Sequence, residues 1–152
     1  LGGLAAKAVV EGEAVLCKRF ADVNCIDIEL ASEDTGALVE AIAMMEPSCG
    51  GINLEDIKAP GCFIIEQALR ERMNIPVFHD DQHGTAIIAA AGLINACHLT
   101  GRDLKDVRMV VNGAGAAAIA CTAPTKSMGA RHDNVLMCDR RRVIYHGRVN
   151  VA

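Results

Sequence analysis

The chain has 152 residues, 51% of them apolar, with 15 basic and 19 acidic side chains and a formal net charge of −4. That length holds an ordinary domain with a sizeable core, and the apolar share excludes a disordered chain. The mild acidity argues against nucleic acid or an anionic membrane surface as the main partner.

Short apolar runs alternate with longer helical patterns. Cys25-Ile26-Asp27-Ile28-Glu29-Leu30 alternates with period two, as a half-buried strand does. Ser32, Asp34 and Thr35 offer N-caps for a helix over about 36 to 46 that Pro47 ends. Gly50 to Leu54 reads as a short strand. Pro60 opens a second helix with Phe63, Ile64, Ala68 and Leu69 on one face, and Val77-Phe78 closes another strand. A third helix, about 83 to 98, is apolar nearly all round and so is expected to be buried. Val107 to Val111 is a strand, followed by a glycine turn and a small-residue helix from Ala116. Asn134 to Asp139 is the next strand, with Val143-Ile144-Tyr145 a candidate for one more. Strands alternating with helices predict an α/β fold with a largely parallel sheet.

Seven cysteines, odd in number, widely spaced and without a C-x-x-C, read as buried thiols in a reducing cytosol rather than a disulfide frame or zinc knuckle. The longest apolar stretch, Ala86 to Leu99, is too short and too mixed to span a bilayer. No charged-then-apolar leader opens the chain, and a cytoplasmic location is expected. The opening LGGLAAKAVV lacks a methionine and the closing VIYHGRVNVA lacks a cap, so both ends are expected to be cuts through a larger protein. Arg140-Arg141-Arg142 is the only tight basic run and reads as a solvated turn.

Three constellations bear on chemistry. In GINLEDIKAP, residues 51 to 60, Glu55 and Asp56 are adjacent carboxylates just past a strand; in VFHDDQHG, residues 77 to 84, Asp80 and Asp81 hold the same kind of position. Carboxyl ends of parallel strands face the ligand crevice of α/β sheets. Acids gathered there need a cation, and oxygen ligands favour Mg²⁺ or Mn²⁺. Equally, each pair can cap the helix that follows and complement its dipole. His79 and His83 are four apart, a zinc spacing, although no H-E-x-x-H is present and polar histidines are the plainer reading. Third, Gly113-Ala114-Gly115-Ala116-Ala117-Ala118 is a G-x-G-x-x-A between strand and helix. Asp139 ends the next strand, 24 residues past Gly115, where a ribose ligand is expected. Asp139 favours NAD, whereas Arg140 and Arg141 suit the 2′-phosphate of NADP; both remain open.

The stretches FADVNCIDIEL, GGINLEDIKAPGCFIIEQALRERMNIPVFHDDQHGTAII and DVRMVVNGAGAAAIAC closely resemble the malic enzymes, in particular the large bacterial NADP-dependent type. The likeness covers nearly the whole chain and weakens after Cys121. It implies that residues 1–78 are the C-terminal part of the malic catalytic domain and 79–152 the first part of a Rossmann-type NAD(P)-binding domain. It implies oxidative decarboxylation of L-malate to pyruvate and CO₂ with NADP⁺, or alternatively NAD⁺, as acceptor, and a homo-oligomer without nucleic-acid or membrane partners. By matching positions, Glu55, Asp56 and Asp81 are the ligands of Mg²⁺ or Mn²⁺, and Asp80 pairs with the family's catalytic lysine. Glu13 stands where that lysine should be, and neither Lys7 nor Lys18 matches it, so an impaired chemical step is expected. Pro124 is expected to break the small-residue helix near Ala123. Arg140-Arg141-Arg142 replaces a turn that usually carries a glycine, and Tyr145 does not match the family's general-acid tyrosine, which lies upstream. The alternative is a non-catalytic, truncated or decayed homologue that retains at most metal or subunit binding.

Overall fold

The chain divides into two compact units, Leu1–His79 and Asp80–Ala152. A computed structural model describes residues 3–148. The expectation of cut ends rests partly on residues 1–2 and 149–152, outside the described residues.

The first unit opens with α1 (Gly3–Ala21), a helix that the periodicity above does not single out. Lys18 and Arg19 close its last turn, where cations complement the dipole. The expected strand at Cys25–Leu30 does not form. Its alternation is real but inverted: Lys7 Nζ donates to Asp27 at 2.7 Å and to Glu29 at 3.1 Å, while Ile26 and Ile28 are 82% and 48% exposed. An ion-paired lysine on α1 turns the carboxylates inward, and no other strand pairs with the segment among the described residues.

Helix α2 (Thr35–Ala43) starts where Asp34 Oδ1 accepts from the Ala37 N–H at 2.7 Å. It stops short of the expected end because Pro47 has no N–H for the Ala43 carbonyl; a 3₁₀ turn over Glu46–Ser48 follows. Next come β1 (Ile52–Leu54), α3 (Gly61–Arg72) and β2 (Val77–His79), a strand–helix–strand crossover. The strands pair in parallel, Ile52 beside Val77 and Leu54 beside His79. Ile42, Leu54, Ile65, Leu69 and Met73 form the core. Arg72 grips the Glu40 carboxylate with both terminal nitrogens and ties α3 to α2.

The second unit begins with a five-residue π turn, Asp80–Gly84, leading into α4 (Thr85–Thr100). Gly101, with φ 64°, lets the Arg102 N–H close on the Cys97 carbonyl at 3.0 Å. Then follow β3 (Met109–Asn112), α5 (Ala116–Ser127) and β4 (Val135–Cys138). β3 and β4 are parallel, Met109 beside Val135 through Asn112 beside Cys138. The candidate strand at Val143–Tyr145 reduces to one antiparallel bridge, Cys138 to Val143. Both units are therefore α/β with parallel strand pairs.

Three further expectations are corrected. Helix α4 is not buried: it packs on α5 and the π turn, yet Ile88 is 74% and Leu99 84% exposed. A unit of two strands and two long helices has too few layers to cover a helix that is apolar on every side. Helix α5 does not break at Ala123 but runs on to Ser127 with Pro124 inside it. Only one internal bond is lost there, close to the end. Thr122, Thr125 and Ser127 hydroxyls donate to the carbonyls of Ala118, Cys121 and Ala123 at 2.8, 2.7 and 3.1 Å, adding bonds along the same stretch. All seven cysteines are thiols, but Cys17 and Cys25 are exposed, and only Cys62 is buried. Among the described residues no helix is long and apolar enough to cross a membrane.

Leu69 is fully buried at the centre of the first core. Leu69→Ala is expected to lose about 2–5 kcal/mol of stability, read as a lower urea midpoint with an unchanged slope.

Candidate functional site

In the first unit the acidic pair Glu55-Asp56 follows β1 directly. Asp56 has φ 55°, in the left-handed region. Aspartate tolerates that backbone better than most residues, and such strain gathers at ligand clamps. Glu13, on α1, accepts a hydrogen bond from Asn53 Nδ2 at 3.2 Å. This brings Glu13 from 40 residues away to the end of β1, beside the start of the acidic pair. The two lysines nearest Glu13 in sequence are both engaged elsewhere. Lys18 pairs with Asp22 at 2.5 Å. Lys7 lies among Asp27, Glu29 and Glu11, whose hydrogen bonds raise its pKa well above the ordinary lysine value. It stays protonated and is no proton acceptor near neutral pH.

Leu54 and His79 are register partners, so β1 and β2 end level, and the chain enters each acidic pair from the same end of the sheet. His79 is fully buried, and neither ring nitrogen has a hydrogen-bond partner among the described residues. It closes β2 rather than sharing a helix with His83, and no histidine belongs to a metal-sized group of ligands among the described residues. The zinc spacing is thus a strand residue and a turn residue that fall four apart.

In the second unit Asp80 and Asp81 lie in the π turn, which packs against α5 as well as α4. Neither acidic pair meets the capping alternative fully. α3 has Pro60 as its N-cap residue and α4 has Gly84, and neither has a side-chain cap bond.

The glycine turn follows β3. Gly113 has φ 121°, which only glycine adopts readily, and its N–H donates to the Cys138 carbonyl at 2.8 Å. Gly115 is different: it caps α5 with extended backbone, and a Cβ there would meet nothing within 4 Å. Gly113 is needed by the turn itself, whereas Gly115 opens space in front of the helix N-terminus. Ala116, Ala117 and Ala118 form the first turn of α5.

Asp139 begins at the same end of the β3–β4 pair. Its Oδ1 accepts from the N–H groups of Arg141 and Arg142 at 2.9 and 3.0 Å, and its Oδ2 from Arg148 Nη2 at 2.6 Å. Both side chains of the ion pair are only 4% exposed. The Arg148 guanidinium and these backbone N–H groups hold the Asp139 carboxyl far below its usual pKa. An ionised carboxylate accepts about four hydrogen bonds, and three of Asp139's are made within its own loop. Arg148 Nη1 also donates to the carbonyls of Arg142 and Val143. Sequence reading missed this arginine, although an Arg nine residues after an acid at a strand end is a signal worth testing. Arg140 and Arg141 are exposed. A surface cleft lined by Arg102, Asp103 and Arg108 and another lined by Phe63, Glu66 and Arg70 contain none of these groups.

Residues 82–148 match the family described as malic enzyme, NAD binding domain. The chain is 63% identical over 150 residues to the NADP-dependent malic enzyme of Rhizobium meliloti (strain 1021), covering 99% of this chain and 20% of that protein. It is 57% identical over 148 residues to the NADP-dependent malic enzyme of Haemophilus influenzae, covering 97% and 20%. Among solved structures it superposes on the NAD-dependent malic enzyme of Thermotoga maritima with a TM-score of 0.91 at 43% identity, covering 97% of this chain and 38% of that one. The chain spans about a fifth of the length of these curated relatives.

Because the folded-state pKa of Asp139 is depressed, its pair contributes stability that is complete above the unfolded carboxyl pKa, about 3.9, and is lost as pH falls below it. Urea midpoints are expected to drop between pH 5 and about pH 2.5 less steeply in Arg148→Met than in the parent. Equal slopes would show that the pair does not set the acid limb.

Proposed function

Because this chain belongs to the malic enzyme family, we propose that it carries metal- and cofactor-binding parts of the oxidative decarboxylation of L-malate to pyruvate and CO₂, with reduction of NAD(P)⁺. The observation that carries this reading is the level ending of two parallel strands, each running into two adjacent carboxylates. On this reading residues 1–78 end the catalytic domain and 79–152 begin the NAD(P)-binding domain.

Glu55, Asp56 and Asp81 would hold Mg²⁺ or Mn²⁺, since three carboxylates are a hard, oxygen-only donor set. The left-handed backbone of Asp56 supports a constrained ligand there. When bound, the cation supplies Lewis-acid polarisation of the malate C2 hydroxyl and stabilisation of the charge left as CO₂ departs. Glu13, oriented by Asn53, stands at the position of the family's lysine. A carboxylate there accepts a proton from the C2 hydroxyl but adds negative charge where an ammonium would balance Asp80. Slow turnover follows from that exchange.

For the cofactor, the N–H groups at the start of α5 offer an anion site, and the open space over Gly115 leaves room for a pyrophosphate. NADP fits better than NAD. The acid that would repel a 2′-phosphate, Asp139, is neutralised by Arg148, and Arg140 and Arg141 project beside it. Cytoplasmic location and homo-oligomeric assembly are expectations from the family. The reading of a decayed homologue rests on Glu13 alone, because the unbroken α5 removes Pro124 as support.

The deciding experiment is a Mn²⁺ titration beside malate-dependent NADP⁺ reduction. Mn²⁺ is expected to bind with micromolar-to-millimolar affinity lost in Asp81→Asn. Turnover is expected to be low and to rise at least about tenfold, a barrier drop of roughly 1.4 kcal/mol, in Glu13→Lys. If Mn²⁺ binds and neither form reduces NADP⁺, the remnant reading prevails. For the cofactor turn, Gly115→Ala is expected to abolish NADP⁺ binding in a fluorescence titration while leaving the melting temperature within a degree or two. Retained binding would remove Gly115 from the site.

A further inference from the structure

Gly84 closes the π turn with φ −61° and ψ −50°, right-handed helical backbone that every L-residue adopts. Nothing in its conformation calls for glycine, and alanine is the better helix former at such a position. Space does call for it. A Cβ on Gly84 would lie 2.9 Å from Cγ and 3.3 Å from Oδ2 of Asp80, and closer still to Oδ1. Other helical glycines are less confined: an added Cβ at Gly12 or Gly92 would meet nothing within 4 Å, at Gly36 it would lie 3.3 Å from Asp34 Oδ1, and at Gly61 3.6 Å from Thr35 Cγ2.

The direction of the clash has a physical cause. Helical Cα–Cβ bonds tilt toward the N-terminus, so a side chain at residue 84 would cover the turn before it, where the Asp80 carboxylate lies. Aspartate is too short to move that carboxylate clear by bending its far end, so χ1 must rotate and carry the charge elsewhere.

We propose that Gly84 is a positioning residue for Asp80: its missing side chain is the space in which the Asp80 carboxylate is held. The role in the reaction rests on the functional reading above, whereas the packing relation stands on the geometry of the turn alone. A carboxylate displaced from this place no longer contributes its field beside the ligand Asp81. Gly84 thereby acts on the acidic cluster without touching substrate or cation.

Four proteins test this: the parent chain, Gly84→Ala, Asp80→Ala and the double variant, each followed by thermal melting and by Mn²⁺ titration with electron paramagnetic resonance. Gly84→Ala is expected to lower the melting temperature when Asp80 is present. On the Asp80→Ala background it is expected to raise it, because the obstruction is gone and only alanine's helix preference remains. Mn²⁺ affinity should weaken several-fold in Gly84→Ala and weaken no further when that change is added to Asp80→Ala. A melting shift of the same sign in both backgrounds, or additive losses of Mn²⁺ affinity, overturns the proposal. If the parent chain binds no Mn²⁺, the functional reading fails and takes with it the part that Gly84 plays in the reaction by positioning Asp80. The melting reversal would then still separate that failure from a failure of the packing relation.

Discussion

Adjacent carboxylates repel, and the chain places two such pairs where short parallel strands run out. That electrostatic cost is the constraint around which the local architecture is arranged. Charges held together at strand ends need either solvent or a compensating cation. The residues around each pair restrict where the charge can go. Asp56 takes a left-handed backbone, Asn53 fixes Glu13 beside the first pair, and Gly84 gives up a side chain beneath Asp80. All of these choices are the expense of holding anions in set places.

The second unit solves a related problem with an internal cation. Asp139 is satisfied by Arg148 and by the N–H groups of its own turn. The same acid at the end of a second strand is read from sequence as a ribose ligand, and only the fold reveals that its lone pairs are largely engaged. An acid whose charge is already met orders the loop and leaves the exposed arginines beside it to set the local potential. Its buried ion pair with Arg148 marks Asp139 as a structural acid.

Legibility varied with how local the deciding force was. Proline and glycine punctuation marked the start of α3 and the turn before α5, because those residues act through their own dihedrals and donors. Alternation misled at Cys25–Leu30, where Lys7 from another element reversed which face turned inward. Apolar content misled at α4, since burial depends on what else is available to cover a helix. Pro124 misled because, so close to the end of α5, it removes only one internal bond.

The sequence by itself determined the alternation of strand and helix, the two acidic pairs at strand ends, the glycine turn before a helix and the family likeness that those motifs carry. Each is a pattern of neighbours along the chain, and local preference is enough to write it. Tertiary structure alone decided that β1 and β2 end level, that Glu13 reaches Asn53 across 40 residues, that Arg148 closes on Asp139 and that Asp80 fills the place of a missing Cβ. Those are distances between groups that the chain must fold to bring together, and charge and volume act through distance rather than through order along the chain.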